Sequence, residues 1–133
     1  NLIAIHLKKY IGSLSAFCGA VSAASAAGAG ITYLFGGDYE EIGYTIVNTL
    51  GNVGGIVCDG AKSSCAAKIA MAVESGILGY EMYCNGQQFY GGDGIITKGV
   101  ENTIANVGQL AREGMAGTDK EIIKIMLDGE ETV

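Results

Sequence analysis

Residues 19–30 read GAVSAASAAGAG and lie inside a longer stretch, from Tyr10 to Gly37, that contains no charged residue. A stretch of this length is sufficient to cross a bilayer. Its side chains, however, are small rather than bulky and apolar, which suits a helix whose neighbours pack close to its backbone. We therefore predict that residues 19–30 form the central helix of a folded domain and that the chain has no membrane partner.

The composition of the whole chain also favours helices. The 133 residues include no proline, which permits long uninterrupted helices, and strand patterns are weak. The 22 glycines are many for a helical protein and indicate helix ends, tight loops or closely packed helices. The predicted fold is all-α, a compact multi-helix domain of about four to six helices with a small-residue-rich central helix. We expect one domain over residues 1–133.

The charge pattern excludes one class of partner. The net charge is −6, and Lys8-Lys9 is the only basic cluster. Binding to phosphates requires a concentrated basic face, so nucleic acid is not an expected partner.

Capping signals predict where the other helices begin. Asp38 with Glu41 forms a capping-box pattern before a helix over about 39–50. A second such pattern, Thr118 with Glu121, predicts the start of the last helix. Thr97 is the candidate N-cap of a helix over about 98–115.

The remaining boundaries follow from glycines and apolar spacing. A helix is predicted from Ser63 or Ser64 to about Tyr83, followed by a glycine-rich loop over 85–94. The acidic tail 129–133 is expected to be frayed.

One segment of the sequence is repeated. Residues 48–54, NTLGNVG, match residues 102–108, NTIANVG, at five of seven positions. An ancient helical duplication with pseudo-twofold packing and coincidence are both open explanations.

The four cysteines are Cys18, Cys58, Cys65 and Cys84. Their spacing matches neither a zinc knuckle nor a ferredoxin. Cys58 and Cys65 bracket a short loop that contains Gly60 and two serines and is flexible enough to wrap a cluster. From the residues alone, the cysteines are a metal site, buried core residues, or, in a secreted protein, a disulfide.

Several stretches together resemble a known family. They are FCGAV at 17–21, GYTI at 43–46, NTLGNV at 48–53 and IVCDGAK at 56–62, with DGII at 93–96, EGM at 113–115 and Thr118-Asp119 towards the end. This set resembles the C-terminal part of the L-cysteine desulfidase family, which is related to the α-domain of iron–sulfur L-serine dehydratases. The resemblance covers nearly the whole chain. Its most specific part is the Cys-Asp-Gly-Ala-Lys-x-x-Cys stretch with the upstream cysteine, and the seven-residue step from Cys58 to Cys65 is like that of the desulfidase branch.

The resemblance implies a cofactor, a reaction and a set of residues. Cys18, Cys58 and Cys65 would be the ligands of a [4Fe–4S] cluster in a lyase. The reaction would be β-elimination from L-cysteine or L-serine, giving pyruvate, ammonia and sulfide or water. Asp59 and Lys62, beside the ligands, would support them.

Four further residues are considered for roles outside the ligand set. Asn48 and Asn52 are candidates to bind the substrate carboxylate, although helix capping also explains them. Cys84 matches no ligand of the family. The lone histidine, His6, has a suitable pKa for proton transfer but is more simply a surface or core residue.

Two departures from the family limit what this chain is expected to do alone. It lacks the N-terminal portion, which would supply much of the substrate site and the base, and it lacks a cysteine near the C-terminus. We therefore interpret it as the C-terminal fragment of a longer, cytoplasmic enzyme, inactive alone, with the missing portion and a small amino acid as partners. A homodimer is plausible from the small-residue helix. The alternatives are a non-catalytic helical domain with core cysteines and a zinc or redox module.

Overall fold

The computed structural model describes residues 1–129, and the end of the predicted frayed tail, residues 130–133, lies outside them. The described part is all-α, as predicted. The helices are α1 (Leu2–Ile11), α2 (Gly19–Leu34), α3 (Tyr39–Val53), α4 (Cys65–Cys84), α5 (Val100–Gln109) and α6 (Ala116–Gly129), with a π-helical turn at Leu110–Gly114 between the last two.

Helices α2, α3 and α4 pack against one another, while α1 packs on α2 and α5. An apolar core joins α1, α2, α3 and α5. Its fully buried members are Leu7, Ile11, Val21, Leu50 and Val107. Within the described residues, no helix is long and apolar enough to cross a membrane.

The predicted role of the small-residue helix is confirmed at its contact with α4. A Cβ atom placed on Gly28 would lie 3.0 Å from the Cα atom of Gly76, and one on Gly76 would lie 3.0 Å from the carbonyl oxygen of Ala24. The backbones of α2 and α4 therefore touch. On α4 the buried residues are Ala72, Ser75, Gly76 and Gly79, a small-residue stripe at helical spacing.

The helix α3 begins as the sequence predicts. The Asp38 carboxylate accepts hydrogen bonds from the N–H groups of Glu40 and Glu41, and the Glu41 carboxylate accepts one from the N–H of Asp38. The helix ends three residues later than predicted, at Val53, because Gly51 packs under Phe89 and Ile96 as part of the helix rather than ending it.

Two other boundary predictions were wrong. The helix predicted from about residue 98 begins at Val100 after the N-cap residue Gly99, and the Thr97 hydroxyl caps nothing there. Thr118 lies inside α6, which starts at Ala116, two residues after the end of the π-helical turn. The sequence analysis also did not predict α1.

The repeated segment occupies similar surroundings in its two copies. Thr49 and Thr103, Leu50 and Ile104, and Val53 and Val107 are all buried. Both copies lie on a helix and share these core-facing positions, whereas the identical pairs Asn48/Asn102 and Asn52/Asn106 include exposed residues. Core packing therefore explains only part of the similarity.

We expect two substitutions on α2 to have opposite effects. Gly28→Leu should lower the free energy of unfolding by about 2 kcal/mol or more, because the side chain has no space against the α4 backbone. Gly30→Leu, two residues along the helix where nothing lies within 4 Å, should be neutral or stabilise by up to about 1 kcal/mol. Urea denaturation followed by circular dichroism measures both. Equal losses would show that the backbone contact is not specific.

Candidate functional site

Cys18 and Cys58 are brought together by a short antiparallel contact between two loop segments. Phe17 and Val57 form a single β-bridge. On either side of it, the N–H of Cys18 donates to the carbonyl of Ile56 at 3.2 Å and the N–H of Cys58 donates to the carbonyl of Ala16 at 2.6 Å.

The bridge determines the direction of the two cysteine side chains. In an antiparallel pair, side chains alternate between faces, so both cysteines lie on the face opposite to Phe17 and Val57. They are diagonal neighbours across the pair, a relation that separates such residues by roughly 7 Å. Cys18 is buried at 6% exposure and Cys58 is half-buried.

Cys65 joins them from the start of α4. It is the first residue of that helix, is half-buried, and its thiol donates a hydrogen bond to the carbonyl of Gly60 at 3.5 Å. Gly60 has φ +95°, a backbone conformation that favours glycine. The Cys58–Cys65 loop, residues 58–65, is thereby folded back on itself, and the Cε atom of Met126 on α6 lies beside Gly60.

Three charged side chains, Asp59, Lys62 and Lys68, interact with one another at this loop. Asp59 accepts hydrogen bonds from Lys62 at 2.8 Å and from Lys68 at 2.5 Å. Lys62 also donates to the carbonyl of Asp59 itself, and Lys68 donates to the carbonyl of Val57 at 3.1 Å. Lys68 lies on α4 one turn after Cys65 and has a side chain 28% exposed, against 47% for Lys62.

The contacts between Asp59 and the two lysines shift the pKa values of Asp59 and Lys68. Hydrogen bonds from Lys62 and then Lys68 hold the pKa of Asp59 well below its ordinary value. The hydrogen bond to Asp59, with a further contribution from the charges of Cys18 and Cys65, raises the pKa of Lys68. Lys68 therefore lies within electrostatic reach of two of the three cysteines. The sequence analysis missed this residue, although its position three residues after Cys65 places it next to that residue on the helix.

Thiols are the donors that a [4Fe–4S] cluster uses, and the three cysteines supply them. All of them are free. Among residues 1–129, no three His, Cys, Asp or Glu side chains are arranged to hold one metal ion. The thiolates of a [4Fe–4S] cluster bind separate irons, so they surround a larger body. Three free thiols on two helix starts and the loop between them fit that donor set.

The fourth cysteine is remote. Cys84 is the last residue of α4 and is exposed. Nineteen helical residues separate it from Cys65, which corresponds to roughly 28 Å. It lies near Tyr80, whose pKa is raised by a hydrogen bond with the Cys84 thiol.

The two asparagines predicted to bind substrate differ in their surroundings. Asn48 is fully buried, its Nδ2 donates to the carbonyl of Gly79 at 3.0 Å, and its Oδ1 accepts from the N–H of Phe89 at 3.0 Å. Asn52 is exposed and donates to the Ser75 hydroxyl at 3.1 Å. Asn48 therefore holds α3, α4 and the following loop together, whereas Asn52 has an accessible amide.

His6 lies away from the cysteines. Its Nε2 is 2.8 Å from the Glu101 carboxylate, and its ring packs edge-on against Tyr10. This is a pairing between α1 and α5 at the surface.

A separate cleft of about 470 Å³ lies between the first half of α3 and the segment 88–99. Its lining includes four aromatic side chains, Tyr39, Tyr44, Phe89 and Tyr90. None of the cysteines lines it. The sequence analysis did not predict it, because its walls come from two segments that are distant in the sequence.

The described residues thus form an all-α domain in which Cys18, Cys58 and Cys65 are free. The family model described as serine dehydratase alpha chain matches residues 1–124. The chain therefore belongs to the serine dehydratase alpha-chain family, which confirms that part of the resemblance seen in the sequence.

The chain is also similar to several curated relatives called UPF0597 proteins. It is 66% identical over 128 residues to one from Desulfitobacterium hafniense, covering 96% of this chain and 30% of the relative. The corresponding figures are 60% over 128 residues, 96% and 31% for one from Lachnoclostridium phytofermentans, and 44% over 126 residues, 95% and 29% for one from Aeromonas hydrophila. The chain thus spans about 30% of the length of the relatives it matches. No solved structure matches it significantly.

Replacing each of the two asparagines should change the free energy of unfolding by a different amount. Asn48→Ala should lower the free energy of unfolding by about 2–3 kcal/mol, because it removes both hydrogen bonds of a buried side chain and takes away the acceptor of the Phe89 N–H. Asn52→Ala, which loses one partly exposed hydrogen bond, should cost about 1 kcal/mol or less. Chemical denaturation of the two variants measures the difference, and similar losses would contradict the structural role given to Asn48.

Proposed function

We propose that this chain is the part of an iron–sulfur amino-acid lyase that carries the [4Fe–4S] cluster, with Cys18, Cys58 and Cys65 as its ligands. The observation that carries the proposal is that the Phe17–Val57 bridge joins the segments of Cys18 and Cys58, and that Lys68, one turn after Cys65 on α4, bonds the carbonyl of Val57. Membership of the serine dehydratase alpha-chain family supports the same cofactor. The zinc alternative has no comparable observation in its favour. The alternative of a non-catalytic domain with core cysteines agrees with the burial of Cys18 in the apolar core, and the family membership favours the cluster over it.

The proposed reaction is β-elimination from L-cysteine or L-serine. With L-cysteine, the α-proton and the sulfur leave, and one water hydrolyses the resulting enamine, giving pyruvate, ammonia and hydrogen sulfide. When bound, the cluster supplies a Lewis-acidic iron for the leaving sulfur or hydroxyl. The L-cysteine desulfidase branch is favoured by the seven-residue step between Cys58 and Cys65.

This chain's residues would hold the cofactor and orient the substrate. The three thiolates bind it, and Asp59 with Lys62 and Lys68 fixes the loop that carries Cys58. Asn52 has an accessible amide near the end of α3 that could donate to a substrate carboxylate. Asn48 would act only by holding the Phe89 segment in place.

The proton acceptor and the rest of the substrate site are assigned to a part of the enzyme outside this chain. His6 is a poor candidate for the base because it pairs with Glu101 on another face. In this proposal the chain is the C-terminal portion of a longer enzyme. That enzyme works in the cytoplasm, where thiols remain reduced, and a homodimer is one form it could take.

Anaerobic reconstitution tests the proposal. The chain is incubated with ferrous iron and sulfide, desalted, and assayed for iron, sulfide, zinc and visible absorption. About four irons and four sulfides per chain with broad absorption are expected, since three thiolates are sufficient to hold a four-iron cluster. Cys58→Ser should lose most of the bound iron.

Cys84→Ser is the matched control, because it removes a thiol at the opposite end of α4. It should bind as much iron as the unmodified chain. Equal loss in both variants, or no iron uptake by a chain whose circular dichroism remains helical, would contradict the proposal. Stoichiometric zinc in place of iron would favour the zinc module.

A further inference from the structure

The geometry points to Lys68 as a positioning residue that clamps the segment around Cys58 onto α4 and sets a positive charge beside the thiols. This inference rests on the proposed function, because Lys68 affects cluster binding only if the chain binds the cluster. The contacts on which it depends belong to the chain itself.

Lys68 contacts the backbone on one side of Cys58 and a side chain on the other. Its Nζ donates to the carbonyl of Val57, the residue before Cys58, at 3.1 Å, and to the carboxylate of Asp59, the residue after it, at 2.5 Å. Since Lys68 is anchored on α4 one turn beyond Cys65, one ammonium group links the segment of Cys58 to the helix of Cys65.

Lys62 makes a more limited contact. It also bonds Asp59, but its other partner is the carbonyl of Asp59 itself, and it lies within the loop. It therefore stabilises the loop locally without joining it to α4. Its side chain is also the more exposed of the two. This difference makes Lys62 the natural control for Lys68.

The charge of Lys68 has a second consequence. Three thiolates in one place repel one another, and a nearby cation reduces that repulsion most where water is partly excluded. Lys68 is the less exposed of the two lysines at Asp59, and it lies within electrostatic reach of Cys18 and Cys65. Losing such a partner behind a metal ligand typically costs about 10–100-fold in metal affinity.

The first test measures how firmly the reconstituted cluster is held. Lys68→Met should release iron to a chelator about tenfold faster than the unmodified chain. Lys68→Arg, which keeps the charge and the donors, should retain most of the protection, and Lys62→Met, which loses only contacts within the loop, should speed the release of iron much less than Lys68→Met. Equal release from Lys68→Met and Lys62→Met would overturn the inference.

The second test needs no cluster and separates charge from loosening. The metal-free chain is alkylated at low salt with iodoacetate, an anion, or iodoacetamide, its neutral analogue, and each cysteine is quantified by peptide mass spectrometry. Loosening changes both rates alike, whereas the charge of Lys68 favours the anion. The iodoacetate-to-iodoacetamide ratio at Cys65 and Cys58 should fall several-fold in Lys68→Met, be kept in Lys68→Arg, and stay constant at Cys84.

The two tests can fail separately. A ratio at Cys65 that does not change in Lys68→Met overturns the inference, even if the cluster binds. A chain that takes up no iron but shows the change in ratio contradicts the proposed function while supporting the placement of Lys68.

Discussion

The close contact between the backbones of α2 and α4 is the constraint on which the rest of the arrangement depends. Helices α2 and α4 run in the same direction, because α3 lies between them in the chain and is antiparallel to both. Cys18 lies ten residues before Gly28, and Cys65 lies eleven residues before Gly76, so each is about 15–16 Å from the contact. The contact therefore sets the register that brings the two cysteines to the same end of the bundle. A side chain at either glycine would separate the helices and change that register.

The sequence was sufficient to predict the features that depend on local chemistry or on a small-residue pattern. The all-α fold, the close packing of residues 19–30 and the capping box of Asp38 and Glu41 are confirmed. Thr97 and Thr118 have the same kind of capping signal but do not cap a helix, since α5 begins after Gly99 and Thr118 lies inside α6. A capping pattern shows that a helix can begin at a residue, but it does not by itself determine that the helix begins there.

The candidate site was only partly accessible from the sequence. The resemblance named Cys18, Cys58 and Cys65, but spacing alone left their role open, since the first is 40 residues from the second and only the β-bridge brings them together. Lys68 was missed because lysine on a helix surface carries no distinctive signal. Its role depends on the carbonyl of Val57, which no side-chain pattern reveals. The cluster ligands remain a prediction, and the residues around them now have defined contacts.

The π-helical turn at 110–114 has a consequence for insertions and deletions in this family. The turn accommodates one residue more than an α-helix would. Within it, the carbonyl of Ala111 accepts a hydrogen bond from the Ser15 hydroxyl at 2.7 Å. Deleting one residue there would restore regular α-helical geometry. A second deletion, with no extra residue left to absorb it, would rotate α6 by about 100° about its axis and move it by about 1.5 Å. Met126 would then turn away from Gly60, so chain length at this turn determines which face of α6 covers the cysteine loop.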